Sequence, residues 1–585
     1  MNPTVVKKSL IIVLSVAVLA MSFVCLVPKI SDPDFFWHLK TGELIWQHRS
    51  LPAEDPFAYT SQDHQDRRAH LILTGYWLSE VIFYLLYAGG GMSGIVVLRF
   101  ILVGMLIYLM LKRRRGDFLL HMGLLLMFLT SLLKTFPIER PQVFSFLFFA
   151  VLLLLLDNIR DDTSYSKGKW IYFVFPLLML TWANTHPGFV LGLIVIAVYI
   201  VMEGIKFLHP SLIPIDTGAY KRLILLGVSG ILISILNPNA YHVFAELNLQ
   251  ASVTSTNIEY LSTLNSFRMF SAYGLILYWI VLLLTIIGLI INIRKVDITE
   301  LVLLAGTGYF SFTTMRYVPF FLIAALPAAS RFYSGGRILK PARMSVITVS
   351  LFAGIFFTWN ARANLDNLTS GNWIDSYMYP VTGAAFIIEN DLKGNMYNPD
   401  YWGGYLMWKL APERKVFVDG RNLNFPVYKE FLLIDSAAPA AIAGIPAWKA
   451  ILEAHNVKYV LTPFSKYGGG VVPLVYALLE DRDWLPVFAD YNSVIFVKDL
   501  PINSDVVKRY AISKDYLIIY FFDICNRQIA ANPNNIAAYI TEGDLFMATS
   551  RVNEARQAYE KALQIMPFNT TAAEKLKLLD IRSTY

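Results

Sequence analysis

The chain contains 585 residues, of which 56% are hydrophobic and 16% are charged. A mean hydropathy of +0.49 excludes an ordinary soluble protein and indicates a polytopic helical membrane protein. The net charge of +7 does not indicate nucleic-acid binding, because the basic residues cluster in short loops between apolar runs and are typical topology signals. Cys25 and Cys525 lie near opposite ends of the chain, so we expect no structural disulfide.

Apolar runs long enough to cross about 30 Å of hydrocarbon recur through residues 1–360. The first run follows Lys7 and Lys8 and lacks a clear signal-peptidase site, so we predict that it is a retained membrane helix. About eleven spans are predicted, near residues 9–28, 93–111, 117–135, 141–157, 170–185, 187–206, 221–237, 271–293, 299–314, 317–332 and 344–360.

The alternation of these spans places the basic loops on the cytoplasmic side, as the positive-inside rule requires. This agreement needs residues 71–89, which contain Glu80 and precede three glycines, to form an interfacial or re-entrant helix instead of a span. The large loop 29–92 then lies on the outer side. The same outer face receives the polar stretches 134–142, 184–188, 237–242, 259–268 and 313–317.

The first loop combines carboxylates with aromatic residues, a composition typical of the lipid-water boundary. Asp32 and Asp34 flank Pro33, so the two carboxylates could converge on a cation or on an acceptor hydroxyl; alternatively, Asp34 caps the helix that follows. His38 lies one helical turn later and either shares their ligand or is solvated. Asp55 in the motif AEDPFAYT is either a ligand or a turn former.

Two arginines lie at outer helix ends. Arg140 and Arg316 are candidate contacts to a lipid-linked phosphate, because arginine binds phosphate through a bidentate fork. The alternative is that they snorkel or that Arg140 pairs with Glu139, which is itself a candidate substrate contact. His186 in the hairpin NTHPG is a candidate ligand or a buried neutral histidine bonded to a backbone carbonyl, and His242 in NPNAYH is a further candidate.

Beyond residue 360 the hydropathy falls and the chain becomes soluble. Residues 361–504 alternate short strands with helices, which predicts an extracytoplasmic α/β domain. The predicted strands cover residues 395–398, 415–419, 458–462, 485–489 and 493–498. Residues 505–585 form a helical tail, in which residues 536–569 match the spacing of one tetratricopeptide repeat. The tail either packs on the α/β domain or binds a protein partner.

The first helix, the acidic loop SDPDFFWHLKTGELI with LPAEDPFAYT, the repeated spans and the C-terminal extracytoplasmic domain together resemble the polytopic GT-C-fold glycosyltransferases, including the protein mannosyltransferase and aminoarabinose transferase group. The resemblance covers about residues 1–360 and implies an all-α membrane domain. It also implies that Asp34 or Asp32 acts as base or ligates a divalent Mg²⁺ or Mn²⁺ ion. The WWDYG motif of oligosaccharyltransferases is absent from the sequence.

The predicted function is transfer of a sugar from a polyprenyl-phosphate donor to an acceptor on the outer face of a bacterial cytoplasmic membrane. In this prediction Asp34, assisted by Asp32, is the base, and the predicted substrate contacts are His38, Asp55, Glu139, Arg140, His186, His242 and Arg316. A lipid-linked saccharide transporter or flippase is one alternative, although internal repeats are not evident. A membrane scaffold that acts through the α/β domain and the tail is the other.

Overall fold

The structure is a computed structural model that describes residues 3–61, 66–136, 138–161, 167–209, 212–244, 258–270, 273–334, 340–439, 441–442 and 444–583. The chain divides into two compact units. Unit one contains residues 1–53 and 65–373, and unit two contains residues 54–64 and 374–585. The sequence-based division differs, because it placed the boundary near residue 360 and left residues 54–64 with the membrane domain.

The chain remains in unit one beyond residue 360 because its continuation packs on the end of the first helix. The side-chain amide of Asn367 donates a hydrogen bond to the carbonyl of Val27 at 2.9 Å. The N–H of Ile30 donates to the carbonyl of Trp373 at 2.6 Å. These bonds satisfy backbone carbonyl and amide groups where the first helix ends, so the segment up to residue 373 belongs to unit one.

The described part of unit one is built from helices. They are α1 (Pro3–Leu26), α2 (Phe35–His48), α3 (Arg67–Thr74), α4 (Trp77–Lys112), α5 (Phe118–Thr135), α6 (Gln142–Arg160), α7 (Ile171–Thr185), α8 (Phe189–Leu208), α9 (Thr217–Ser234), α10 (Thr263–Phe270), α11 (Gly274–Asn292), α12 (Ile298–Thr313), α13 (Val318–Phe332), α14 (Lys340–Ala361) and α15 (Asp366–Ser370).

Seven helical stretches of the described residues are long and apolar enough to cross a membrane. They are Lys8–Leu26, Arg67–Lys112, Phe118–Thr135, Gln142–Arg160, Phe189–Leu208, Gly274–Lys295 and Met344–Ser370. A shorter apolar helix covers Ile171–Thr185. The protein is therefore a multi-pass membrane protein, whereas the number of eleven spans stays a prediction.

Residues 71–89, which were predicted not to cross the membrane, lie in α3 and the first part of α4. Helix α4 is interrupted at Gly91. Its φ of 58° and ψ of −151° form a backbone conformation that glycine adopts readily but that is costly for other residues. The whole stretch Arg67–Lys112 has 46 residues, more than twice the length that one crossing needs. The break at Gly91 therefore separates residues 77–90 from the apolar run 93–111, and a re-entrant or interfacial role for the former stays a prediction.

Unit two is organised around a mixed four-stranded sheet with the order β1-β4-β6-β5. Strand β1 pairs in parallel with β4, and the other two pairings are antiparallel. Its elements are α16 (Val381–Glu389), β1 (Asn395–Tyr397), α17 (Asp400–Leu410), α18 (Phe425–Asp435), β2 (Ala441–Ile442), β3 (Ile445–Pro446), α19 (Ala447–Ala454), β4 (Val457–Pro463), α20 (Pro473–Glu480), β5 (Trp484–Ala489), β6 (Ser493–Lys498), α21 (Ser504–Tyr510), α22 (Lys514–Ala531), α23 (Ile536–Ala548), α24 (Val552–Ile565) and α25 (Thr570–Ser583).

Four of the predicted strands coincide with β1, β4, β5 and β6, but residues 415–419 do not form a strand. Val416 makes only an isolated parallel bridge with Ala58, through the bonds Tyr59 N–H to Val416 C=O and Val416 N–H to Phe57 C=O. The partner of this apolar segment is thus a piece of the first loop. Pairing with a segment so distant in the sequence cannot be predicted from the local alternation of apolar and polar residues.

The tail helices share the core of the sheet. Phe521 and Cys525 of α22 and Leu545 of α23 are buried in the same apolar cluster as Phe464 and Phe496. Helices α23 and α24 pack closely against each other, since a Cβ on Gly543 would lie 2.3 Å from the Tyr559 ring. The predicted tetratricopeptide repeat falls on α23 and α24, and its assignment to that repeat class stays a prediction.

Candidate functional site

The acidic pair of the first loop lies between the end of α1 and the start of α2. Asp34 occupies the N-cap position of α2, but its side chain makes no capping hydrogen bond. Instead, Asp32 accepts the Asp34 N–H through Oδ1 at 2.8 Å. The side chain of Asp34 is thus directed to a task other than capping, and Asp32 fixes the backbone that carries it.

Both carboxylates contact one guanidinium. Nε of Arg140 donates to Oδ2 of Asp32 at 2.6 Å, and Nη2 lies 3.1 Å from Oδ2 of Asp34. Nη1 of the same arginine donates to Glu259. The side chain of Asp32 is 4% exposed and that of Asp34 is 24% exposed. Asp34 is therefore the more accessible of the two carboxylates.

Burial changes the proton affinity of this cluster. Desolvation raises the pKa of Asp32 to about 7; the Arg140 charge opposes the rise, and the nearby Asp34 and Glu139 carboxylates add to it. The pKa of Arg140 lies above its usual value because its carboxylate partners outweigh its own desolvation. The guanidinium consequently stays charged, and Asp32 titrates near neutral pH.

Arg140 differs in its partners from Arg316, the other arginine predicted to bind phosphate. Nη1 of Arg316 donates to the Tyr260 hydroxyl, and its guanidinium carbon lies 5.4 Å from the centre of the Tyr260 ring. Within the described part of the chain Arg316 forms no ion pair with a carboxylate. The charge of Arg140 is compensated by three acids, whereas that of Arg316 is not, and the predicted phosphate contact of either arginine stays a prediction.

Two histidines flank Tyr76. The ring of His38 lies 5.2 Å from the Tyr76 ring, and that of His186 lies 5.6 Å from it on their centroids. Nδ1 of His38 is 2.9 Å from the buried carboxylate of Glu80. His38 is therefore paired with an acid. His38 and His186 both contact the Tyr76 ring.

His186 is a neutral donor in this arrangement. Its Nδ1 accepts the Gly188 N–H at 2.8 Å and is 2.9 Å from Ser145 Oγ. Burial lowers the pKa of His186 well below its usual value, and Arg316 lowers it further. A neutral imidazole whose Nδ1 accepts must carry its proton on Nε2. The backbone-carbonyl partner considered from the sequence is replaced by the Gly188 amide and the Ser145 hydroxyl.

Glu139 does not pair with its neighbour Arg140. Its Oε1 accepts from Nη2 of Arg99 at 2.5 Å, and its Oε2 accepts the Ile138 N–H at 2.9 Å. Arg99 also donates to the carbonyl of Pro28 at 2.8 Å. Glu139 thus anchors α4 and the end of α1 next to the acidic loop, and its predicted contact with substrate stays a prediction.

Asp55 and His242 are not brought to this cluster. Asp55 belongs to unit two, where its carboxylate contacts Arg421 at 3.0 Å and accepts from Ser61 Oγ at 2.5 Å and from the Phe57 N–H at 3.1 Å. Arg421 also pairs with Asp419 at 2.7 Å. His242 is half-buried and its ring lies 4.1 Å from the Tyr241 ring on their centroids.

Sequence reasoning assigned no role to several residues of the cluster. Glu259 and Tyr260 lie in a short 3-10 turn within a loop that was noted only as polar. Glu80 was noted only as an interruption of an apolar run, and that interruption is the signal that could have identified it. Tyr76 carried no local signal, because tyrosine is common at membrane interfaces.

The binding of a divalent cation by Asp32 and Asp34 stays a prediction. Among the residues that the structure describes, no group of three or more His, Cys, Asp or Glu side chains is placed to hold a metal ion. The carboxylates of Asp32, Asp34 and Glu259 instead surround the guanidinium of Arg140. A cation there would have to displace this arginine, since both would need the same oxygens.

Neither a protein-family model nor a curated protein matches the chain. Among solved structures, the archaeal oligosaccharyltransferase AglB from Archaeoglobus fulgidus, in complex with an inhibitory peptide and a dolichol-phosphate, is 12% identical with a TM-score of 0.50, over 85% of this chain and 75% of that one. Two other structures of the Archaeoglobus fulgidus oligosaccharyltransferase have TM-scores of 0.44 and are also 12% identical. One, tethered with an acceptor peptide, matches 84% of this chain and 74% of its own; the other, a complex with Zn and sulfate, matches 95% and 86%. The resemblance inferred from the sequence is confirmed at the level of the fold: the chain has the fold of a GT-C glycosyltransferase.

Proposed function

We propose that the protein is a membrane glycosyltransferase that moves a sugar from a polyprenyl-phosphate donor to an acceptor hydroxyl. The observation that carries the proposal is the placement of Asp34 and Asp32 on Arg140, where Asp34 remains partly exposed. Glycosyl transfer needs a base for the acceptor proton and positive charge for the leaving phosphate. The cluster supplies the first through Asp34, and Arg316 supplies the second.

The reaction proceeds by displacement at the anomeric carbon. The acceptor oxygen forms the new bond to that carbon while Asp34 takes the hydroxyl proton, and the bond from the carbon to the phosphate oxygen breaks. The electron pair of the broken bond stays on the polyprenyl phosphate. Arg316, which has no carboxylate partner in the described chain, stabilises the developing negative charge.

The remaining residues position the reactants. Arg140 holds Asp32 and Asp34 in place through contacts to both carboxylates. The neutral His186 offers its Nε2 proton to a substrate oxygen, and His38, held by Glu80, packs on the same Tyr76 ring.

The orientation follows from the positive-inside rule. Basic loops in the cytoplasm place Asp32, Asp34 and the polar turns on the outer face of a bacterial cytoplasmic membrane. Unit two, which follows the last span, then lies outside the cell membrane as well. The tail of unit two is proposed to bind a protein partner.

Transfer of labelled sugar from a panel of polyprenyl-phosphate sugars, in membranes that carry the protein, tests this proposal. We expect Asp34→Asn to reduce the rate by about 10²- to 10⁴-fold, because a general base contributes that much. Glu43→Gln is the matched control, since Glu43 lies on the same helix and pairs with Lys40 at 2.9 Å, away from Arg140. Equal rates in Asp34→Asn and Glu43→Gln, with both proteins folded, would exclude Asp34 as the base.

Arg316→Gln tests the phosphate contact in the same assay. We expect a loss of about 10²-fold or more in the rate, because a donor aimed at developing charge is worth that much. The control is Arg362→Gln, which removes an exposed arginine that stacks 4.0 Å from the Trp359 ring centre. No transfer with any donor by the wild type would instead favour the transporter or the scaffold.

A further inference from the structure

A cavity of about 300 Å³ lies beside the acidic loop, within unit one. It is lined by the end of α1 with the following loop, by α4 at Arg99, and by the end of α5 with residues up to Glu139. Asp32 lines it, whereas Asp34, Arg140 and Arg316 are not part of its lining among the described residues. The cavity is thus a space next to the proposed reaction site and separate from the arginine proposed to hold the donor phosphate.

Three cationic side chains line this space: Lys29, Arg99 and Lys134. Arg99 is paired with Glu139, but in the described part of the chain neither Lys29 nor Lys134 forms an ion pair. The other carboxylate of the lining, Asp32, is paired with Arg140. Two positive charges therefore remain without a counter-charge, which favours an anion in the cavity.

A buried donor of the lining is also unused. Nε of Arg99 has no hydrogen-bond partner among the described residues, although the side chain as a whole is only 3% exposed. The hydroxyl of Thr135, another lining residue, is buried without a partner as well. Buried polar groups are rarely left unsatisfied, so these two donors call for an acceptor. Both donors and both lysines suit an oxyanion.

We propose that this cavity binds a phosphate ester, which the ammonium groups of Lys29 and Lys134 and the free donor of Arg99 hold. The space of about 300 Å³ admits a phosphate with a small substituent, and Arg99, which lines it, belongs to an apolar helical stretch long enough to cross a membrane. A phospholipid head group and a released polyprenyl phosphate share this chemistry. The inference rests on the proposed function only if the bound ligand is the released polyprenyl phosphate.

Cys25 provides a local probe, because it lines the cavity and the other cysteine, Cys525, is buried in unit two. The full-length chain with Cys525→Ser, purified in a detergent without phosphate, is treated with a small thiol reagent. The rate of Cys25 modification is measured alone, with inorganic phosphate, with a short-chain phosphatidylethanolamine and with polyprenyl phosphate. Native mass spectrometry of the same samples counts the bound molecules.

We expect at least one phosphate compound to slow the modification of Cys25 and to bind one to one. In the double variant Lys29→Gln/Lys134→Gln the apparent affinity should fall by about tenfold or more, since two charge-assisted contacts are lost. Lys112→Gln, an exposed lysine at the far end of the helix that carries Arg99, is the control and should bind as the wild type does. If Cys25 does not react, the affinities from mass spectrometry decide alone.

The ligand that binds identifies the source. Binding of both lipids and of inorganic phosphate supports a site for phosphate as such, and binding of one lipid alone supports that lipid. No binding by any compound, or equal affinity in the double variant and the wild type, overturns the proposal. Asp34→Asn must lose transfer if the proposed function is right but should bind phosphate unchanged, so failure of one proposal is distinguishable from failure of the other.

Discussion

Arg140 donates from Nε to Oδ2 of Asp32 at 2.6 Å, although the two residues are 108 positions apart in the sequence. This bond joins the first outer loop to the turn before α6. The same guanidinium also contacts Asp34 and Glu259, so a single cation compensates three partly or fully buried acids. Its removal is therefore expected to affect stability more than phosphate binding.

Arg140→Met should lower the free energy of unfolding by about 3–5 kcal/mol, because it leaves buried carboxylates without a counter-charge. Thermal denaturation in detergent measures the change. The double variant Asp32→Asn/Arg140→Met removes the pair together and should regain part of the loss. A single variant as stable as the wild type would contradict the compensating role of Arg140.

The stability of the protein should fall as the pH rises toward neutrality, because of Asp32. Burial raises the pKa of Asp32 from its usual 3.8 to about 7, so between these values the native state holds a proton that the unfolded chain has lost. The contribution of Asp32 is fully present below pH 3.8 and is lost as the pH passes through about 7. Melting temperatures across pH 5–8 should decline less in Asp32→Asn. The exposed Asp161, changed to Asn, is the control and should keep the wild-type slope.

The Asp55–Arg421 pair should be structural. Their side chains are 1% and 0% exposed, and the pKa of Arg421 lies above its usual value because the attraction of Asp419 and Asp55 outweighs its desolvation. Arg421→Met should destabilise unit two by about 3–5 kcal/mol, since it leaves buried carboxylates uncompensated. Arg414→Met, which breaks a pair with the largely exposed Asp391, should change the melting temperature little. Similar melting temperatures for the two variants would show that the buried pair carries no special weight.

Gly42 should be required for the position of α2. A Cβ at this residue would lie 2.0 Å from the carbonyl oxygen of Glu80, so α2 would have to move away from α4. We expect Gly42→Ala to cost about 1–3 kcal/mol, as overpacking does, and to reduce transfer because α2 carries Asp34 and His38. Gly104→Ala in α4 meets open space and should be neutral or slightly stabilising. Wild-type activity in Gly42→Ala would show that the contact between α2 and α4 does not position the loop.

Some features of the site were accessible from the sequence because they depend on neighbouring residues only. An acidic pair around Pro33, directly after an apolar run, predicts a polar loop at a membrane surface whatever the rest of the chain does. The same holds for arginines at helix ends, such as Arg316, and for four of the strands in unit two. Their grouping on one face followed from counting spans and applying the charge rule.

The partners of these residues were decided by the tertiary structure. The sequence offered Glu139 as the nearest acid to Arg140, but Glu139 pairs with Arg99 and Arg140 contacts Asp32. Asp55 lies in the same loop as Asp32, yet its partner is Arg421, 366 positions away in unit two.

The sequence by itself determined that this is a membrane protein with a polar, acidic first loop, because hydropathy and local charge are properties of short segments. Only the tertiary structure decided that Arg140 compensates Asp32 and Asp34 and that Arg316 has no carboxylate partner among the described residues. Ion pairing depends on distance in space and on burial, since a charge is costly to bury alone and takes whichever partner the packing brings within reach. No local pattern encodes that distance.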